Sequence, residues 1–146
     1  IGGSLHRWFG IEVPFTAAGV VLATTYVAMP FFVLTVEAGL RGFDRRYSEA
    51  AATLGAGPWR TFRTVTLPMI APSVRAGLLI AWARALGEFG ATITFAGSLG
   101  GRTRTLPVET FLALEQDPQT AVAVSVLLLV VSLVVLTVLR GRWLTR

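Results

Sequence analysis

Two long uncharged runs, residues 13–36 and residues 119–139, constrain this chain more than any other feature. Each supplies the roughly 20 residues that an α-helix needs to cross a hydrocarbon core about 30 Å thick. Lipid offers no partner to backbone N–H and C=O groups, so a single apolar run at that depth must satisfy them internally, as a helix does. The second run is rich in β-branched and leucine residues, among them Val130, Val131, Leu133, Val134 and Val135. In water that composition suits a buried strand, but its unbroken length favours a membrane helix. The first run carries Pro14 at its start and Pro30 inside. The interior proline removes a hydrogen bond and predicts a kink near Ala28. Composition agrees with the bilayer as solvent: 53% of the residues are hydrophobic and the mean hydropathy is +0.66.

A third apolar segment, from about Pro72 to Gly97, is interrupted by Arg75, Arg84 and Glu88. A charge near the bilayer centre costs at least about 2.5–3.5 kcal/mol, so such residues point into a bundle or a wet cavity. The segment is expected to be a span with one face turned away from lipid. Arginine-rich loops stay in the cytoplasm. Arg41, Arg45, Arg46, Arg60 and Arg63 mark one such loop, and Arg140, Arg142 and Arg146 mark the tail. The sequence therefore predicts an all-α, multi-pass transmembrane bundle with spans at residues 13–38, 70–97 and 119–140. Residues 41–67 and the tail 141–146 are placed on the cytoplasmic side. Residues 98–118, with a short helix at about 107–114, are placed outside. The chain begins with Ile1 and shows no signal-peptide pattern, so upstream sequence is expected.

Several function classes are excluded by what the chain lacks. All thirteen basic residues are arginine, and a Walker-type phosphate loop needs a lysine, so no ATP hydrolysis of that type resides here. There is no cysteine, which removes disulfides, thiolate metal sites and thiol nucleophiles. His6 is the single histidine, which leaves a metal site short of ligands and the serines (Ser48, Ser73, Ser98, Ser125, Ser132) without a base. No catalytic, metal or cofactor residue is assigned. The net charge of +5 reflects the loop asymmetry, and the arginines do not alternate with exposed aromatics as in a nucleic-acid surface.

The loop at 41–67 is the informative one. Asp44 can accept from the free amides of a helix start, and Glu49-Ala50-Ala51-Ala52 continues the helix to Gly55, where a left-handed stop costs little. Pro58 suits the first turn of a second short helix through Trp59, Phe62 and Val65, expected to end where Pro68 opens the next span. The product is a helix, a glycine turn and another helix. Its alanine surface permits close approach, with Glu49 and the arginines at the rim. It can dock into a partner's groove or lie on the membrane surface as a basic connector.

Glu49-Ala50-Ala51, Gly55 and then Leu67-Pro68 resemble the EAA signature of binding-protein-dependent ABC importer permeases; Val65 stands where that family commonly has isoleucine. The resemblance implies that Glu49, Ala50, Ala51, Gly55, Leu67 and Pro68 form the segment that couples to an ATPase subunit, which binds the ATP and magnesium. Residues 83–95 (ARALGEFGATITF), followed by Thr103-Arg104-Thr105-Leu106-Pro107, are most similar to molybdate permeases, with sulfate and tungstate permeases close behind. The resemblance runs from about Val13 to the end and further implies a homodimer of permease subunits, an external oxyanion-binding protein and the prokaryotic cytoplasmic membrane. A membrane-embedded enzyme and a structural or channel-forming membrane protein stay open as other classes.

Arg84 and Glu88 lie four residues apart and can neutralise one another on one helix face. The arginine precedes the glutamate, the less favourable order against the helix dipole, which argues for partners on other helices. Both are candidates for the transport pathway or its gate as well as for a structural ion pair.

Overall fold

The computed structural model describes residues 14–141, and the side chains of residues 14–137. His6, Arg142 and Arg146 fall outside that range, as does the side chain of Arg140. The described residues contain helices and no strand, in agreement with the all-α expectation. We number the α-helices α1 Ala17–Arg41, α2 Arg46–Thr53, α3 Pro58–Thr61, α4 Leu67–Leu86, α5 Gly90–Phe95, α6 Leu106–Gln116 and α7 Pro118–Gly141.

Among the described residues, three helical stretches are long and apolar enough to cross a membrane: Ala17–Arg41, Pro58–Leu86 and Pro118–Thr137. Their apolar side chains point outward, among them Leu22, Tyr26 and Leu34 on α1, Leu78 and Ile80 on α4, and Val122, Leu129 and Leu133 on α7. In water such a surface would collapse or aggregate; in lipid it is the face that replaces the hydrophobic core. Several hydroxyls in these helices are satisfied locally, as where Thr35 Oγ1 donates to the Phe31 carbonyl at 2.7 Å and Ser132 Oγ to that of Leu128 at 2.8 Å. Helix α1 continues through Pro30 to Arg41.

The second span differs from its expected bounds at both ends. The short helix that opens at Pro58 does not stop at Pro68. It runs through a π-helical turn, Phe62–Thr66, directly into α4, giving one helix of 29 residues. Pro68 has no N–H to give and its ring crowds the carbonyl one turn back. The wider turn before it, with the Leu67 N–H bonded to the Phe62 carbonyl, absorbs the proline without ending the helix. At the other end the helix stops at Leu86 and does not reach residue 97. Gly87, Glu88 and Phe89 turn the chain, and the six-residue α5 follows.

The residues divide into two compact units. In the unit Ala28–Trp82, the later part of α1 and α4 interlock through small residues. A Cβ placed on Gly39 would overlap both Cβ and Oγ of Ser73. A Cβ on Gly77 would lie 3.1 Å from the Phe32 ring, 3.2 Å from the Phe32 carbonyl oxygen and 3.3 Å from Thr35 Cβ. Thr35 and Gly39 on one helix, and Ser73 and Gly77 on the other, are each four residues apart, the spacing that lets membrane helices approach closely.

The other unit, residues 14–27 with 83–141, holds the end of α4, α5, α6 and α7. Val108 and Ala113 on α6 and Ala121 on α7 are buried where these two helices pack against each other. The single residue Asp117 joins them, accepting from the Gln119 N–H at 3.0 Å and from the Thr120 hydroxyl. It thus caps α7. These bonds hold the Asp117 carboxyl below its ordinary range, the Thr120 hydroxyl having the larger effect. A depressed carboxyl contributes stability that is present above its unfolded pKa and lost as pH falls through the folded one. Asp117→Ala is therefore expected to lower the thermal midpoint at neutral pH. The gap from the unmodified protein should close as the medium is acidified below about pH 4, the carboxylate range, in a detergent-solubilised melting series.

Candidate functional site

The 41–67 segment is built by local chemistry. Asp44 Oδ1 accepts from the Arg46 N–H at 2.9 Å, and the Asp44 carbonyl accepts from Tyr47 N–H at 3.3 Å, so the aspartate organises the start of α2 from just outside it. The helix covers eight residues and closes on Gly55, whose φ is +81°. The Ala56 N–H returns to the Ala51 carbonyl and the Gly55 N–H to that of Ala52, each at 3.0 Å. This paired closure needs a residue in the left-handed region after the helix, and glycine enters it without a Cβ penalty. Gly57 is extended, and Pro58 occupies the first turn of the long helix, where its missing N–H costs nothing. The expected helix, glycine turn and second helix are all present, with the second helix continuous with the span.

No residue of α2 is buried. Glu49 and Ala50 are exposed and Ala51 is partly covered. Leu54 at the turn is 87% exposed and Trp59 68%. The Trp59 and Phe62 rings stack at 5.7 Å between centroids, beside α2, which packs on Pro58–Thr61 and on the π turn. Leu67 and Pro68 stand at the far end of that turn, exposed. Arg45, Arg46, Arg60 and Arg63 are exposed and form no ion pair among the described residues, whereas Arg41 is bonded to Glu37 at 2.6 Å. The segment is therefore a knuckle held by its own backbone, with apolar and cationic side chains left open.

The structure brings Arg84 and Glu88 together directly, Nη1 to Oε2 at 2.6 Å. The order of the two residues argued for partners elsewhere, but that argument belongs to an uninterrupted helix. Here the helix ends at Leu86, and Glu88 lies ahead of α5, where a carboxylate is favoured by the free amides. Its other oxygen, Oε1, accepts from the Ala91 N–H at 2.8 Å. Phe89, next in the turn, sets its ring against Phe111 of α6 at 5.0 Å.

Arg104, bonded to Glu109 at 3.3 Å, lines a crevice of about 480 Å³ with Ser98, Gln116, Asp117 and Thr120. Sequence reasoning passed over this crevice, because its residues are scattered through a loop and two helices; only the Arg104 and Glu109 charges hinted at it. Among the described residues no group of His, Cys, Asp and Glu side chains could hold a metal ion.

Residues 8–145 match the family model described as binding-protein-dependent transport system inner membrane component. The chain belongs to that family. Two molybdenum transport system permease proteins ModB are among its curated relatives. That of Mycobacterium tuberculosis is 52% identical over 126 residues, covering 86% of this chain and 48% of the relative. That of Escherichia coli K12 is 39% identical over 146 residues, covering all of this chain and 64% of the relative. The sulfate transport system permease protein CysT of E. coli K12 is 36% identical over 140 residues, 93% of this chain and 50% of the relative. The chain thus spans about half to two thirds of the length of these relatives.

Proposed function

We propose that the protein carrying this chain is the membrane subunit of an ATP-driven oxyanion importer, with molybdate as the substrate that its similarity to the two ModB proteins favours. The observation that carries the reading is the exposed knuckle: an α-helical segment with nothing buried, fixed by a glycine closure to the start of a membrane span. Leu54 and Trp59 stand open on it, apolar surface of the kind that a docking partner covers. In this reading an ATPase subunit, which binds ATP and magnesium, grips Glu49, Ala50, Ala51 and Gly55, with Leu67 and Pro68 anchoring the segment to the span. A second permease copy completes the route, and an external binding protein delivers the anion. The knuckle and the chain's C-terminus face the cytoplasm. Arg84, in the last turn of the helix that ends at Leu86, and Glu88, just after it, are assigned to the pathway or its gate. The similarity to CysT supports sulfate as the second substrate reading, with tungstate a third oxyanion of like geometry.

The test is uptake of labelled molybdate by the full-length permease complex in proteoliposomes, with sulfate and tungstate as competitors and the ATPase followed by co-purification. ATP-dependent uptake with a retained ATPase is expected. A complex that retains no ATPase and takes up no oxyanion overturns the assignment and leaves a channel or structural protein.

A further inference from the structure

We infer that Arg84 takes hold of the passing oxyanion and that Glu88 is its built-in competitor, displaced from the guanidinium by the anion and then displacing it in turn. The inference rests on the importer reading above and adds to it a binding residue and a release device.

The two halves of the pair are unequal. The side chain of Glu88 is 7% exposed and that of Arg84 is 38% exposed. Both oxygens of Glu88 are engaged, one by Arg84 and one by the Ala91 N–H. The carboxylate therefore stays in place whether or not the arginine is on it. Arg84 has no other hydrogen bond among the described residues, so most of its donor fork is open. An anchored, covered acid beside a movable, open base is a poor design for a strut, which gains most when both partners are fixed. It suits a cation that changes partner. The planar fork offers two parallel N–H donors to two oxygens of a tetrahedral oxyanion, whereas Glu88 engages it through one.

Release is the harder requirement. A lone arginine in a poorly hydrated route would bind a dianion strongly and hold it. With Glu88 fixed at hydrogen-bonding distance, the empty state is already neutral and well bonded, so the anion gains only the difference between two charged partners. Its departure is compensated at once by the returning carboxylate. The pair sits at the break after Leu86, where the span ends and α5 begins, so exchange needs no helix to unwind.

The experiment uses the full-length permease with its ATPase in lipid nanodiscs and measures retention of labelled molybdate, alongside uptake in proteoliposomes. Glu88→Gln keeps an acceptor for the Ala91 N–H but removes the competing charge. It is expected to raise retention about tenfold and to slow uptake, a charged hydrogen bond being worth roughly that factor or more. Arg84→Gln should lose retention by a similar factor, and Arg84→Lys, which keeps charge without the fork, should fall between. ATPase co-purification should be unchanged in all three. Retention and uptake like the unmodified complex in Glu88→Gln and Arg84→Gln overturn the exchange while leaving the importer reading intact. Loss of assembly in both Arg84 variants also overturns it, in favour of a structural pair. Absence of oxyanion uptake by the unmodified complex removes the importer reading and the inference with it.

Discussion

Gly39→Ala is expected to abolish correct packing of α1 against α4, and adding Ser73→Gly to it is expected to restore much of what is lost. The added methyl falls on Cβ and Oγ of Ser73, so one of the two helices must move. Overpacking of this kind costs about 1–3 kcal/mol when neighbours can yield. Here the obstructing atom is a Cβ fixed to the helix, and the cost lies at or above the upper end. Removing the serine side chain removes the obstacle. Gly77→Ala behaves differently: its methyl meets the Phe32 carbonyl oxygen at 3.2 Å, which no side-chain substitution can remove. It should be milder than Gly39→Ala alone and show no comparable rescue by substitution at Phe32. Thermal unfolding and monodispersity in detergent, across the single and double variants, provide the check. Equal stability of Gly39→Ala and Gly39→Ala/Ser73→Gly would contradict the interlock.

Gly55→Pro is expected to leave membrane insertion intact and to separate ATP hydrolysis from uptake. Proline is confined to φ near −65° and cannot occupy the +81° found at this turn, so the closure between α2 and Ala56 must open. Gly55→Ala pays about 1–2 kcal/mol for the left-handed conformation and keeps the turn, so its uptake should be reduced far less. Glu49→Lys reverses a charge on the exposed face of the knuckle without touching its backbone and should uncouple as well. The measurement is ATPase rate against uptake rate in the reconstituted full-length complex. Ordinary uptake in both Gly55→Pro and Glu49→Lys would remove the coupling role from this segment.

What the sequence revealed of this molecule follows the range of the signals. The uncharged runs at 13–36 and 119–139 report the solvent directly, and both lie largely within helices long and apolar enough to cross a membrane. Asp44, Gly55 and Pro58 act within a few residues of themselves, and the start, stop and restart of the knuckle follow from them. The second apolar helix departs from its sequence bounds at both ends, because those ends depend on geometry that no single residue announces. Pro68 is ordinarily a boundary, but an i→i+5 turn ahead of it carries the helix through. Residues 87–97 continue the apolar composition of the span, but the helix has already ended at Leu86. The interlock was missed although its signal was available: Thr35 with Gly39, and Ser73 with Gly77, have the small-residue spacing of closely packed membrane helices. The pairing of Arg84 with Glu88 was legible from their separation, but its unequal burial was not, since exposure is set by surrounding elements.

The π turn at Phe62–Thr66 has a mechanical meaning. Because it keeps Pro58 in line with the residues up to Trp82 in one unit, about 37 Å of helix at 1.5 Å per residue, a twist or thrust applied at the proline end is passed along bonded backbone. The helix's weakest section is the π turn itself, where the hydrogen-bond ladder is wider. A ratchet of one residue in that ladder would change the angular phase of the side chains that follow it in the same unit by about 100°, Arg75 included.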